Sequence, residues 1–299
     1  MKFEGTAVAM VTPFTANNEI NEESLRSNIN FLIENGVDGL LAAGTTGESA
    51  TINHDEQKRL IDILVDEVNG RVTTFAGAGS NSTNEALNLV KHAKNADADF
   101  ALVITPYYNK PQEHGLIQHY KLINDSIDMP IVLYNVPSRT GVDMSVESIL
   151  KIAEFNNVVG IKEANPNVDK TSAIYKSLIC NDLEDKFFIL SGNDDLTIPL
   201  MSVGAKGVVS VVANVDPYRT SQMVNSFKNG DIKKAKDLHF KLYNLMKVLF
   251  IESNPVPTKY ALNLMGKPVG NVRLPLGPLT KEHEQDIKNC LKELGLVKL

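Results

Sequence analysis

Short apolar runs recur along this chain, and between them apolar residues return every three or four positions. The runs fall at 7–11, 39–43, 73–76, 101–104, 131–134, 158–161, 187–190 and 207–211. Runs of four or five apolar residues without alternation read as strands buried on both faces, as in a parallel sheet. The segments between them carry the helical period. Leu25, Ile29, Leu32 and Ile33 share one face before Asn35-Gly36 stops the helix, and Leu60, Ile61, Leu64, Val65 and Val68 repeat the pattern before Asn69-Gly70. Asn53 with Glu56 has the spacing of a capping box, and Thr83 is the expected N-cap of the next helix.

Eight strands alternating with helices, roughly 30 residues per unit, predict an α/β protein built as a (β/α)8 TIM barrel. A doubly wound open sheet satisfies the same pattern and stays open at this level. The barrel is expected to occupy residues 1–225. Residues 226–299 then form a helical appendix packed on it: Ala235, Leu238, Leu242, Leu245, Met246 and Leu249 line one stripe, a Pro-punctuated stretch covers 254–278, and a last helix follows Thr280.

Composition narrows the chemistry. The chain has 299 residues, 43% hydrophobic content and a formal net charge of −6 with acids and bases interspersed, so no basic stripe invites nucleic acid. The two cysteines, Cys180 and Cys290, stand far apart, which argues against a disulfide framework or a zinc site and fits a reducing cytoplasm. No run approaches the roughly 18 apolar residues of a membrane span. The residues after Met1 enter an apolar run at once, unlike a signal peptide. Six histidines, at 54, 92, 114, 119, 239 and 283, form no metal spacing and are expected mostly at the surface. Gly77-Ala78-Gly79-Ser80-Asn81-Ser82 starts like a dinucleotide loop but lacks the third glycine; there is no P-loop and no GxSxG elbow.

In a (β/α)8 barrel the site lies at the carboxyl ends of the strands, so the polar residues that follow each run are the candidates. Foremost is Lys162, at the tip of Val158-Val159-Gly160-Ile161. Desolvation there favours a neutral amine that can attack a carbonyl; alternatively Lys162 snorkels to solvent, its charge offset by Glu163. Gly44-Thr45-Thr46-Gly47-Glu48 is either an ordinary turn or a nest of donors for a carboxylate. Tyr134 is either a lining aromatic or a proton shuttle beside Lys162, and Arg139 either a surface cation or a carboxylate clamp.

These segments carry a resemblance. Gly44-Thr45-Thr46-Gly47-Glu48, Thr105-Pro106-Tyr107-Tyr108, Tyr134-Asn135-Val136-Pro137-Ser138-Arg139-Thr140-Gly141 and Gly160-Ile161-Lys162-Glu163-Ala164 occur in the order seen in the pyruvate-dependent class I aldolase superfamily. Within it the chain most closely resembles the dihydrodipicolinate synthase family, from Gly5 to the last helix and including Asn254-Pro255-Val256-Pro257-Thr258-Lys259.

The resemblance implies a lyase that condenses pyruvate with L-aspartate 4-semialdehyde at the entry to diaminopimelate and lysine synthesis, without metal or organic cofactor. It implies Lys162 as the Schiff-base residue and Tyr134, Thr45 and Tyr108 as a proton relay, Tyr108 reaching in from a neighbouring subunit of a homodimer or homotetramer. Thr46 and backbone near Val209 would hold the pyruvate carboxylate, Arg139 the semialdehyde carboxylate, and Gly192 the pocket wall. Ser49, Ala50, His54, Asn81, Glu85 and Tyr107 match positions of an interfacial lysine site, although Gln57 departs from the His or Glu of lysine-sensitive members. Two alternatives stand beside this: a related lyase for N-acetylneuraminate or a 2-keto-3-deoxy sugar acid, and a non-catalytic pyruvate or lysine binder. Arg139 argues against the first, because a carboxylate-bearing aldehyde needs it and a neutral sugar aldehyde does not; the full set of Thr45, Tyr108, Tyr134 and Lys162 argues against the second.

Overall fold

The computed structural model describes residues 2–298. Among them, eight strands form one parallel sheet: β1 Gly5–Ala9, β2 Gly39–Ala42, β3 Thr73–Gly77, β4 Phe100–Ile104, β5 Ile131–Asn135, β6 Val158–Glu163, β7 Phe188–Ser191 and β8 Gly207–Ser210. They follow one another in sequence order and close into a barrel, which decides against the open sheet. Nearly every strand residue is buried, so the largely apolar runs mark strands covered on both faces.

The runs and the strands differ at two ends that bear on the site. β1 stops at Ala9 although the run continues to Val11, because the Val11 amide is taken by Asn214 Oδ1 at 3.2 Å. β6 runs two residues past its apolar core, so Lys162 and Glu163 lie inside the strand, in register with Tyr134 and Asn135 of β5. Helix signals translate closely. The helix Glu22–Glu34 ends at Asn35 with Gly36 at φ +81°, and His54–Val68 ends at a left-handed Asn69. Asn53 and Glu56 form both halves of the capping box.

Thr83 is not an N-cap. Ser82 holds that position, and the Thr83 hydroxyl is engaged instead by Nδ1 of His119 at 2.9 Å. A helix, Val256–Leu264, also begins inside the Pro-punctuated stretch, with Pro255 at the cap and Pro257 in the first turn, where a missing amide proton costs nothing. The last helix, Lys281–Glu293, starts where Thr280 caps it, accepting from the His283 amide at 3.3 Å.

The chain divides into two compact units, Met1–Gly5 with Thr74–Val209, and Thr6–Thr73 with Ser210–Leu299. In the first, Phe3, Phe75, Phe100 and Phe188 form a continuous aromatic row, edge-to-face at both ends and stacked in the middle, with ring centroids 5.0, 4.9 and 5.7 Å apart. Gly160 makes room for it, since a Cβ there would lie 2.6 Å from the Phe188 ring. The core of the second unit gathers Val8, Phe14, Leu25, Ile29, Leu40, Leu60, Leu64 and Ala213, among others.

One histidine departs from the surface expectation. His119 is 5% exposed, and burial pulls its imidazole down to about 4 from 6.5. In an unfolded chain the ring takes a proton near pH 6.5, whereas the folded ring stays neutral until about pH 4, so acid favours unfolding across that window. The contribution is whole above pH 6.5, and about 3 kcal/mol of it is gone by pH 4. Urea titrations of the parent and His119→Gln at several pH values should show the parent losing more stability between those limits; parallel curves would remove His119 from the acid response.

Candidate active site

The centre of the first unit is built by β5 and β6. Their register sets Tyr134 opposite Lys162, and both side chains leave the strands in the same direction because paired residues share a face. Lys162 is 5% exposed and Tyr134 7%, and Nζ of Lys162 lies 4.2 Å from the tyrosine ring centroid. A ring face at that distance contacts the amine without supplying a counter-charge. Among the described residues Lys162 forms no ion pair and the Tyr134 hydroxyl no hydrogen bond, so both polar ends remain available.

Glu163 does not offset Lys162, because successive strand residues point to opposite faces. Its fully buried carboxylate accepts from Asn135 Nδ2 at 2.8 and 3.0 Å and from the Asn165 amide at 2.7 Å, with Lys170 Nζ 3.6 Å away. Burial pushes the Glu163 carboxyl up, against the downward pull of Lys170, the Asn165 amide and Asn135. Asp143 closes the network, accepting from Asn135 Nδ2 and Asn165 Nδ2 at 2.8 and 2.9 Å and pairing with Lys170. Burial pushes the Asp143 carboxyl up too, but hydrogen bonds from Lys170 and Asn135 outweigh it and hold it low. The ends of β5 and β6 are thus tied together behind the pair that faces inward. Neither Asp143 nor Lys170 carries any local sequence signal for this role.

The other first-unit candidates take varied positions. Gly192 follows β7; its amide donates to Glu163 O at 2.7 Å, and a Cβ there would lie 2.6 Å from that of Ala164, so only glycine allows this approach. Val209, in β8, is buried. Arg139, in the single-turn helix Pro137–Thr140, is exposed and makes no ion pair among the described residues. Tyr107 is half-exposed, whereas Tyr108 is 87% exposed on a left-handed backbone, φ +72°. Asn81 O accepts from Asn109 Nδ2 at 2.9 Å, and Glu85 accepts from the Ser80 hydroxyl at 2.6 Å.

In the second unit, the loop after β2 holds Thr45 and Thr46 between Ala43 at φ +55° and Glu48 at φ +59°. The Glu48 and Ser49 amides bond back to Thr45 O and Gly44 O, at 3.1 and 3.3 Å. The amides of Thr45, Thr46 and Gly47 meet no acceptor among the described residues. The turn is satisfied through its Glu48 and Ser49 amides, and three consecutive donors stay unengaged. Ser49 is half-buried, Ala50 exposed, and His54 exposed at the start of its helix; Gln57 is buried at 4% exposure.

Residues of the chain's last 50 positions fasten this loop. The Thr46 hydroxyl oxygen accepts from Asn254 Nδ2 at 2.8 Å. Glu48, 3% exposed, accepts from Lys259 Nζ at 2.7 Å and from the Arg273 amide at 2.9 Å. Burial pulls Lys259 down to about 8, against the opposing pull of Glu48. That value alone would nominate Lys259 as a nucleophile. Its geometry does not: Nζ is held by Glu48, donates to Asn271 O at 2.8 Å and lies 4.2 Å from the Phe14 ring centroid.

The family profile described as the dihydrodipicolinate synthetase family matches residues 2–294. A 4-hydroxy-tetrahydrodipicolinate synthase of Methanosphaera stadtmanae is 58% identical over 297 residues, 99% of this chain and 100% of that protein. The crystal structure of the chloride-inhibited dihydrodipicolinate synthase from Acinetobacter baumannii complexed with pyruvate superposes with a TM-score of 0.95 at 40% identity, covering 99% of this chain and 100% of that one. A dihydrodipicolinate synthase from Cyanidioschyzon merolae with lysine bound superposes with a TM-score of 0.94 at 37% identity, covering 99% of each. Among the described residues no helix is long and apolar enough to cross a membrane.

Proposed function

The chain belongs to the dihydrodipicolinate synthetase family, and from that premise we propose that it condenses pyruvate with L-aspartate 4-semialdehyde through a Schiff base on Lys162. The observation that carries the residue assignment is the buried pair of Lys162 and Tyr134, 4.2 Å from amine to ring centroid on adjacent strands. The Lys162 amine adds to the pyruvate carbonyl and water leaves, giving an iminium. The iminium draws electrons from the methyl carbon, which gives up a proton to form an enamine. The enamine carbon bonds to the aldehyde carbon, and the aldehyde oxygen takes up a proton.

Tyr134, with its unengaged hydroxyl, is assigned the proton transfers at the lysine, and Thr45 and Tyr108 complete the relay. The free amides of Thr45 to Gly47, the Thr46 hydroxyl and backbone near Val209 receive the pyruvate carboxylate. Arg139, exposed and unpaired among the described residues, receives that of the semialdehyde, and Gly192 lets backbone approach the pocket wall. The homo-oligomer works in the cytoplasm, in keeping with free thiols at Cys180 and Cys290. Turnover of both substrates, coupled to a downstream reductase, tests the assignment. A protein inert towards the semialdehyde that cleaves a 2-keto-3-deoxy sugar acid would replace it with the sugar-acid reaction.

Tyr108 is too exposed to serve a buried amine from its own surroundings, which supports delivery to a neighbouring subunit. Tyr108→Phe should lower kcat by about 10²-fold, the scale of a lost acid–base group, with the unfolding temperature unchanged. Near-normal turnover would take Tyr108 out of the relay. Ser49, Ala50, His54, Asn81, Glu85 and Tyr107 are assigned to a feedback lysine site on the same family grounds. Millimolar lysine should then lower turnover, and indifference to it would point to the altered Gln57 position.

A further inference from the structure

We infer that Asn254 is a positioning residue that sets the Thr46 hydroxyl to donate to the pyruvate carboxylate. This rests on the reading that the Gly44–Glu48 loop receives that carboxylate. Thr46 and Asn254 are 1% and 5% exposed, so neither can exchange its partner freely with bulk water. The Asn254 amide nitrogen donates to Thr46 Oγ1 at 2.8 Å. The other end of the amide is engaged as well, since Oδ1 accepts from the Thr258 hydroxyl at 3.2 Å. Thr258 is fully buried in the first turn of Val256–Leu264, and this second bond keeps the amide from turning over.

A hydroxyl has one proton and two lone pairs. With one lone pair occupied by Asn254, the Thr46 proton is directed away from that side. In the same loop the amides of Thr45, Thr46 and Gly47 donate to no acceptor among the described residues. Unengaged amide donors suit an anion, and Asn254 makes the hydroxyl a further donor of that kind. An aspartate in its place would accept the Thr46 proton and add a charge of the ligand's own sign. The distinction between amide and acid is therefore functional, although the two have the same shape.

The test reads pyruvate alone. Full-length protein is incubated with graded pyruvate and borohydride, and the fraction reduced onto lysine is measured by intact mass. Asn254→Asp should raise half-saturating pyruvate by on the order of 100-fold and Asn254→Ala by about 10-fold. In steady-state assays the loss should appear in KM for pyruvate, while KM for the semialdehyde moves less than about 3-fold; a merely structural defect would move both. In a Thr46→Val background, Asn254→Ala should cost less than about 2-fold, because its effect passes through that hydroxyl.

A folded Asn254→Asp with the parent's half-saturation overturns the inference, as does an undiminished cost of Asn254→Ala in the Thr46→Val background. Should Asn254→Asp not fold, Thr258→Val, which frees the amide to turn, replaces it: a rise of about 3-fold is expected and an unchanged value overturns the inference. A parent that is not labelled at all overturns the Schiff-base reading and this inference with it. A labelled parent with unresponsive Asn254 variants overturns this inference alone.

Discussion

Lys162→Met should abolish borohydride trapping of pyruvate and lower turnover by on the order of 10³-fold or more, the scale expected when a covalent nucleophile is lost. Its stability should be unchanged or raised. Lys162 is 5% exposed, and its amine has a ring face at 4.2 Å but no carboxylate among the described residues. A methionine keeps most of the stem's packing and removes a buried polar end that has no hydrogen-bond or ion-pair partner among the described residues. A residue kept for structure would show the reverse, lost stability with activity surviving in the folded fraction. Intact-mass analysis of the trapped protein and a thermal melt decide it. Trapping that persists in Lys162→Met would move the nucleophile elsewhere, with Lys259 the first lysine to examine because its titration is pulled down to about 8.

The second large effect is on stability. Lys259→Met should lower it by about 3–5 kcal/mol, the usual cost of stranding one member of a buried ion pair. The Glu48 and Lys259 side chains are 0% and 2% exposed and 2.7 Å apart, so Glu48 would keep the Arg273 amide as a hydrogen-bond donor and the Arg273 guanidinium as a more distant counter-charge. For a chain of this size the unfolding midpoint should drop by on the order of 10 °C. Glu48→Gln combined with Lys259→Met should recover part of the loss, because a neutral amide replaces the stranded charge. A melt of Lys259→Met within about 2 °C of the parent would mean that the carboxylate finds water or a proton at little cost.

The two lysines show how differently sequence and structure identify function. Lys162 was visible because its neighbours are diagnostic: it closes an apolar run, and three other segments in fixed order share its family resemblance. The position in the strand needed coordinates, since only the register with β5 sets it against Tyr134 and turns Glu163 to the opposite face. Lys259 belonged to a recognisable tail segment, yet nothing local announces that it meets Glu48, 211 positions earlier. Thr83 departs from its expected cap for a related reason. Its spacing suits an N-cap, but His119, 36 residues on, engages the hydroxyl.

Taken by itself, the order of residues determined the eight strands, the helix stops at Asn35-Gly36 and Asn69-Gly70, the capping box at Asn53, and the candidate lysine. All of these follow from interactions within about a dozen neighbours, where periodicity, capping and burial preference leave a direct trace. Tertiary structure alone decided that the sheet closes, that Asn135 binds Glu163, and that Asn254 and Lys259 fasten the Gly44–Glu48 loop. Those contacts join polar groups across tens to hundreds of residues. Burial makes each group find a partner, but only the three-dimensional path of the chain determines which partner is within reach.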